Sequence, residues 1–519
     1  MKNNLFEELQ VYGKSDFYPF HMPGHKRNPD SGSLSGMYQL DITEIDGFDN
    51  LHQAEGIIKS AQEKAASLYH SKETFFLING STAGILTAIS ALSGRGKKLI
   101  MARNCHKSIY HGVFLNHLEA EYIYPKIIDD FGISDGITAQ QVEEKIRQIV
   151  SDAGIPGEEA GKLIAGIIIT SPTYDGILSD VGGIVATAHS YGIPVIVDQA
   201  HGAHFGFHPA FPENAVSQGA DLVIHSTHKT LPAPTQTALL HCNGLLVNPE
   251  TVRKYLRIYQ SSSPSYLLMA GIDTCMDLME KEGQKRLEQL LSYRKELMEK
   301  SKELKKIRIY HSMLERGMNG HDFNESFVTG MEEPGRLLIS VKGTGFTGQQ
   351  LYDVLRETYH LQMEMCGSDY VLAMLSMMDR KEGFDRLWEA LSETDRLLSK
   401  RDKKEEKKPF PEYFHHQPEA VMKMCDAFIT KEEAALLHKA NGQVASEFVG
   451  LYPPGIPLLV PGEKVDDKII LMIESYLDNG YKVQGVERDE DKNEYYLKVI
   501  QQREINNRQC KQHEREVNS

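Results

Sequence analysis

The chain has 519 residues, 41% of them hydrophobic and 25% charged, with a formal net charge of -15. That length exceeds one ordinary core, so a large domain with one or two smaller ones is expected, and the mixture excludes a disordered or fibrous chain. The acidic balance argues against a nucleic-acid-binding surface.

Six cysteines (Cys105, Cys242, Cys275, Cys366, Cys425 and Cys510) stand far apart, none at the CxxC spacing of zinc or redox motifs. That usage suits a reducing cytoplasm. Residues 1–10 lack the basic-then-apolar pattern of a secretory signal, and no apolar run approaches the roughly 20 residues of a membrane helix. A soluble cytoplasmic protein without membrane or nucleic-acid partners is expected.

In chain order, residues 1–52 read as an irregular arm, with turn formers in His21-Met22-Pro23-Gly24-His25-Lys26. From 53 to 285, helical stretches alternate with short β-branched runs, the pattern of a sheet with crossover helices. Phe75 to Ile78 is an apolar run that enters the turn Asn79-Gly80-Ser81-Thr82-Ala83-Gly84 ahead of a helix over 85–92. Residues 163–170 are apolar enough for a fully buried strand. A helix over 180–191 follows, with Ser179 as cap and Gly192 as stop, then strands over 193–198 and 221–226, both ending in polar residues. The Glu/Lys/Leu-rich helix over 281–305 leads into a small α+β domain over 286–400. Residues 401–411 form a charged linker, 412–500 an α+β C-terminal domain, and 501–519 a polar, disordered tail.

Strand ends that open onto one crevice are where ligands bind in such sheets. Lys229, in Ser226-Thr227-His228-Lys229, stands just beyond the strand over 221–226, and Asp198 ends the strand before it. A lysine amine for an imine, a carboxylate beside a pyridine nitrogen and donors for a phosphate are the set that pyridoxal phosphate requires. Partial desolvation there would lower the Lys229 pKa. His201 is placed to hydrogen-bond the ring's phenolic oxygen, and the small Ala200 lets the ring pack closely. The glycine turn before residues 85–92 points N–H groups at an anion, with Ser81, Thr82 and Ser226 adding hydroxyls; as an isolated motif it is more often a simple helix cap. His106 is a candidate to stack on the ring. His201, His204 and His208 also suggest a metal, but no carboxylate or cysteine stands at matching spacing, so none is assigned.

These segments resemble the ornithine/lysine/arginine decarboxylases, in their short form. Phe20-His21-Met22-Pro23-Gly24-His25-Lys26 and Asp41-Ile42-Thr43-Glu44 are similar to that family's opening signatures, and Ser226-Thr227-His228-Lys229 to its cofactor-lysine signature. Asp198-Gln199-Ala200-His201-Gly202-Ala203-His204, Ser261-Ser262-Ser263-Pro264-Ser265-Tyr266 and Tyr452-Pro453-Pro454-Gly455-Ile456-Pro457 resemble further family motifs.

The resemblance implies an α/β fold of the aspartate-aminotransferase-like class (fold type I), with a mainly parallel central sheet. It also implies a homodimer with active sites at the interface, Ser263 reaching the partner's phosphate, and His106 on the ring face. The receiver-like wing domain of the longer members is not expected here, and Gln199 stands where an acidic residue is common in the family. The expected activity is decarboxylation of arginine, lysine or ornithine to the corresponding amine in polyamine metabolism, with His228 or Lys229 returning the α-carbon proton. Asp41, Glu44, Glu364 and Glu463 are the carboxylates available for the substrate's distal cation. Transamination, carbon–carbon lysis and a catalytically silent regulatory subunit are the rival readings.

Overall fold

The computed structural model describes residues 3–30, 32–244, 246–310, 330–400, 416–452 and 455–504. The expected linker at 401–411, the tail from 505 on, Cys510 and Pro453-Pro454 lie outside the described residues. Two compact units result, Met1–Ala102 with Ala120–Lys404, and Arg103–Glu119 with Glu405–Ser519.

The first unit is built on a seven-stranded sheet of order β1-β9-β8-β7-β6-β2-β3. Its strands are β1 (Glu73–Leu77), β2 (Lys98–Ala102), β3 (Glu119–Ile123), β6 (Ile164–Thr170), β7 (Val195–Asp198), β8 (Leu222–His225) and β9 (Ala238–Cys242). A two-stranded ribbon, β4 (Ile127–Ile128) with β5 (Ile133–Ser134), lies between β3 and β6 in the chain. Strands β2, β6, β7 and β8 run parallel, and β9 runs antiparallel to both β8 and β1. Parallel strands covered on both faces need continuous apolar runs, which is why β7 and β8 are buried along their whole length. The helices Ala139–Ala153 and Val181–Ser190 cover one face, packing Val142, Ile146, Ile184 and Ala188 against Ile167, Ile169, Val195 and Val197. A Cβ on Gly166 would stand 2.5 Å from Leu92 Cδ1, so β6 admits only glycine there without repacking.

Several local expectations change. The helix starting at Val181 is capped by Asp180, whose side chain accepts from Gly183 N; Ser179 Oγ instead accepts from Ile137 N and donates to the Thr170 carbonyl at the end of β6. The arm is irregular over 14–30, 32–34 and 39–50 but not at its start: Leu5–Gly13 is a helix opened by a reciprocal Asn4–Glu7 capping box, and its Leu5 and Leu9 are fully buried in the main core. A single helix, Tyr266–Ser301, runs unbroken through the boundary expected at 285, and Ser265 caps it. A four-stranded antiparallel sheet follows, β10 (Arg308–Ile309), β11 (Arg336–Ser340), β13 (Tyr370–Met374) and β12 (Met365–Cys366) in that spatial order. Its Leu337, Ile339 and Val371 share one core with Met276 and Met279 of the long helix and with the arm.

The second unit carries β14 (Glu432–Leu436), β19 (Glu494–Ile500) and β18 (Val486–Asp489) in one small sheet. The other small sheet holds β16 (Pro457–Leu459), β15 (Val449–Leu451) and β17 (Val483–Gln484). The helix Asp467–Asp478 covers them, with Asp466 capping Lys468 N and Ile469 N. The segment from Arg103 through the helix Lys107–Leu115 belongs to this unit although it is far away in sequence. Among the described residues no helix is long and apolar enough to cross a membrane.

Candidate active site

The carboxyl ends of β6, β7 and β8 converge, because Thr170 pairs with Asp198 and Asp198 with Ile224. Asp198 is buried, and its Oδ1 accepts from Ala200 N at 3.2 Å. Burial raises its pKa, while the Lys229 charge and the Ala200 N–H hold it down. Beyond β8 the chain turns into a single helical turn, Thr227–Thr230, that carries Lys229. Lys229 Nζ lies 2.9 Å from His201 Nε2. Its pKa is lowered, mainly by burial and further by Arg336, against Asp198 and Glu364, which act in the opposite sense. His228 turns away: its Nδ1 donates to the Thr237 carbonyl at 2.8 Å, and burial lowers its pKa.

At the other end, Gly80 adopts a φ of +75°, opening the helix Gly80–Ser90 just after β1. Asn79 occupies the cap position without a side-chain bond to that helix; its Oδ1 accepts from Ser261 N instead. The first turn is thereby left without a side-chain cap from Asn79, an arrangement open to an anion. Ser81 Oγ is hydrogen-bonded to the fully buried Ser226 Oγ, and Thr82 is exposed. An amine and a carboxylate at the strand ends, with a hydroxyl pair at the helix start, fit pyridoxal phosphate. Lys229, Asp198, Ser81 and Ser226 would hold it, with Ala200 buried beside Asp198.

The remaining expected residues fall in different places. Glu364 is exposed and accepts from Tyr174 OH. Asp41 pairs with His25 at 3.3 Å. Glu44 Oε2 accepts from Thr43 at 2.5 Å, while its Oε1 is buried without a hydrogen bond among the described residues. Ser263 is exposed on a loop tied by Ser261. His106 lies in the second unit, where it caps the helix Lys107–Leu115 through its Nδ1, and a Cβ on Gly455 would stand 3.2 Å from its ring. Glu463, expected among the substrate carboxylates, is instead engaged: it is buried and pairs with Arg103 at 3.1 Å, also accepting from Val460 N. A buried guanidinium requires such a partner, which removes Glu463 from that list.

His201, His204 and His208 do not converge either, since each takes a separate partner: Arg336, Glu333 and Glu288. Among the described residues, no group of three or more His, Cys, Asp or Glu is arranged to hold a metal. Arg336 and Glu333 went unnoticed in the sequence. Arg336 Nη2 reaches His201 Nδ1 at 2.6 Å, and its Nη1 lies 3.0 Å from Glu333 Oε1. The one available signal was a charged residue opening an otherwise apolar strand, Arg336-Leu337-Leu338-Ile339.

Fold and site together define a pyridoxal-phosphate enzyme of the aspartate-aminotransferase-like fold. Residues 3–383 match the Orn/Lys/Arg decarboxylase major domain and residues 407–501 the C-terminal domain of the same family. The chain belongs to the ornithine/lysine/arginine decarboxylase family and is a decarboxylase. It is 31% identical over 506 residues to an arginine decarboxylase of Bacillus subtilis, covering 96% of this chain and 98% of that one. It is 32% identical over 506 residues to an arginine decarboxylase of Halalkalibacterium halodurans, with the same two shares. Among solved structures, the lysine decarboxylase LdcF of Francisella novicida superposes with a TM-score of 0.77 at 21% identity, over 96% of this chain and 81% of that one.

Proposed function

We propose that this enzyme decarboxylates arginine, releasing carbon dioxide and the corresponding amine for polyamine metabolism. Arginine decarboxylases of Bacillus subtilis and Halalkalibacterium halodurans match nearly the whole chain at 31–32% identity, whereas a lysine decarboxylase of Hafnia alvei matches at 26% over 322 residues. Pyridoxal phosphate, when bound, supplies a cationic ring that takes up the electrons released from the substrate's α-carbon. Asp198 keeps the proton on the ring nitrogen. The observation that carries decarboxylation over transamination is the engagement of Arg336. Transamination needs an arginine presented to the substrate carboxylate, and this one is bonded to His201, Glu333 and the Gly335 carbonyl.

Lys229 delivers the α-carbon proton in this reading. A neutral His228 that donates from Nδ1 to Thr237 has only a lone pair left on Nε2 and no proton to give there. Glu364 is the carboxylate best placed for the distal guanidinium, since its field already reaches Lys229. Glu364→Gln should raise KM for arginine about tenfold or more with a smaller effect on kcat, as loss of a charge-assisted hydrogen bond predicts. The exposed aromatics of the arm, with Phe20 90% accessible, support a homodimer in which that patch is covered. A cytoplasmic location agrees with the five free cysteines among the described residues.

The deciding assay incubates the full chain with pyridoxal phosphate and arginine, lysine or ornithine in turn, following carbon dioxide and identifying the amine. Arginine should give the highest kcat/KM. Keto-acid formation without carbon dioxide would overturn the reading.

A further inference from the structure

The contacts around Lys229 have a direction that fixes where protons sit. A guanidinium has only donors, so the 2.6 Å contact from Arg336 Nη2 makes His201 Nδ1 an acceptor. A neutral imidazole then carries its one proton on Nε2. Nε2 lies 2.9 Å from Lys229 Nζ, and an N–H facing an ammonium would set donor against donor. That contact is a hydrogen bond only when Lys229 is the neutral amine. Burial and Arg336 push Lys229 the same way, with Asp198 and Glu364 opposing.

Arg336 is in turn held from behind. It is buried, donates to the Gly335 carbonyl at 3.1 Å and pairs with Glu333, which is fully buried. The other oxygen of Glu333 accepts from Gly335 N at 2.5 Å and lies 3.2 Å from His204 Nε2. The Tyr174 ring stands 4.8 Å from that of His201, and Asp175 feels the Arg336 charge. His228, beside Lys229, has its Nδ1 proton committed to Thr237.

We propose that Arg336, anchored by Glu333, is a positioning residue that locks His201 in the Nε2–H tautomer and so aims a fixed donor at the Lys229 nitrogen. The inference rests on the reading of Lys229 as the coenzyme's attachment point only for its catalytic meaning. The donor geometry belongs to the protein alone.

The test uses the full chain freed of coenzyme. The pH dependence of Lys229 acylation by acetic anhydride is followed by peptide mass spectrometry, with thermal melting to establish folding. Because Arg336→Met alone would strand the buried Glu333 carboxylate, both variants carry Glu333→Gln, one with Arg336→Gln and one with Arg336→Met. Neither has the guanidinium charge, but only the glutamine can still donate to Nδ1. The labelling midpoint should lie about one pH unit higher in the methionine protein, a tenfold lower neutral fraction at a given pH. In a His201→Phe background the two should coincide. Equal midpoints with His201 present, or a difference that survives without it, would overturn the proposal. Should the methionine protein not fold, ¹⁵N-histidine NMR of the unmutated chain decides, with His201 assigned by its loss in His201→Phe. A protonated Nε2 with bare Nδ1 supports the proposal, and the reverse tautomer or an imidazolium sinks it. Borohydride trapping of the coenzyme at another lysine would instead overturn the cofactor reading and leave these results standing.

Discussion

Asp198 is held between conflicting demands: burial favours its neutral form, yet a carboxylate that is to keep a proton on a ring nitrogen must itself be ionised. The Ala200 N–H opposes that burial, as Lys229 does whenever it is protonated, and a cationic ring would add to them. Asp198→Asn keeps the shape and removes the charge. It should lower kcat/KM by roughly 10²–10³-fold, the loss typical of one preorganised electrostatic partner, measured as carbon dioxide release at saturating coenzyme. Asp198 and Lys229 were legible in the sequence because each stands where an apolar run ends, and such ends open onto the crevice in a parallel sheet. Arg336 was not. Its partner His201 is 135 positions away, and a lone arginine opening a strand reads as an edge charge until the contact is seen.

Between β8 and β9 a string of polar side chains crosses the sheet interior. Gln199 Oε1 accepts from Ala215 N at 3.0 Å, so His225 donates to it from Nε2. His225 Nδ1 then accepts from His241 Nε2 at 3.0 Å, and His241 Nδ1 from Thr74 Oγ1 at 2.8 Å. Every member is neutral and satisfied. Burial pushes both imidazoles down, His225 also through the neighbouring His241 and His204, and His241 to about 3. The unfolded chain takes up protons near the ordinary histidine pKa of about 6.5 while the folded one does not. Stability is therefore greatest above that pH and falls below it, by up to about 1.4 kcal/mol per pH unit for each histidine, down to about pH 3 for His241. Denaturant titrations between pH 7 and 5 should show that slope. Gln199→Glu should flatten it, because a buried carboxylate beside Nε2 holds a proton on His225 in the folded state too. The departure at position 199, without an evident consequence in the sequence, is what keeps this string uncharged. The arm helix was missed for a different reason. Leu5 and Leu9 are its only fully buried residues, with Phe6 and Tyr12 packed beside them, and over nine residues so short a stripe needs the capping box and a docking surface contributed by distant residues.

At the scale of the whole chain, β6, β7, β8 and the helices after β1 and β6 followed from hydrophobic patterning, but β2, β3, β9 and the composition of the second unit did not. Nothing local marks residues 103–119 as belonging with a segment beginning some 290 positions later, because the link is made by tertiary contacts. Arg103, buried, donates to the carbonyls of Pro457 and Leu458 and pairs with Glu463, while Lys107 N donates to the Gly455 carbonyl at 3.0 Å. A chain cut after residue 404 loses all of these acceptors. It should loosen the helix Lys107–Leu115, whose first N–H loses the Gly455 carbonyl and whose preceding Arg103 loses its contacts. Hydrogen exchange in the helix Lys107–Leu115 should accelerate accordingly; unchanged protection would show that the helix stands without the C-terminal segment. The same discontinuity reaches into synthesis. Residues 103–119 leave the ribosome roughly a quarter of a minute to a minute before the first of their C-terminal partners at ordinary elongation rates. Through that interval the nascent chain carries His106 and Arg103 without the contacts that bury Arg103 in the folded unit.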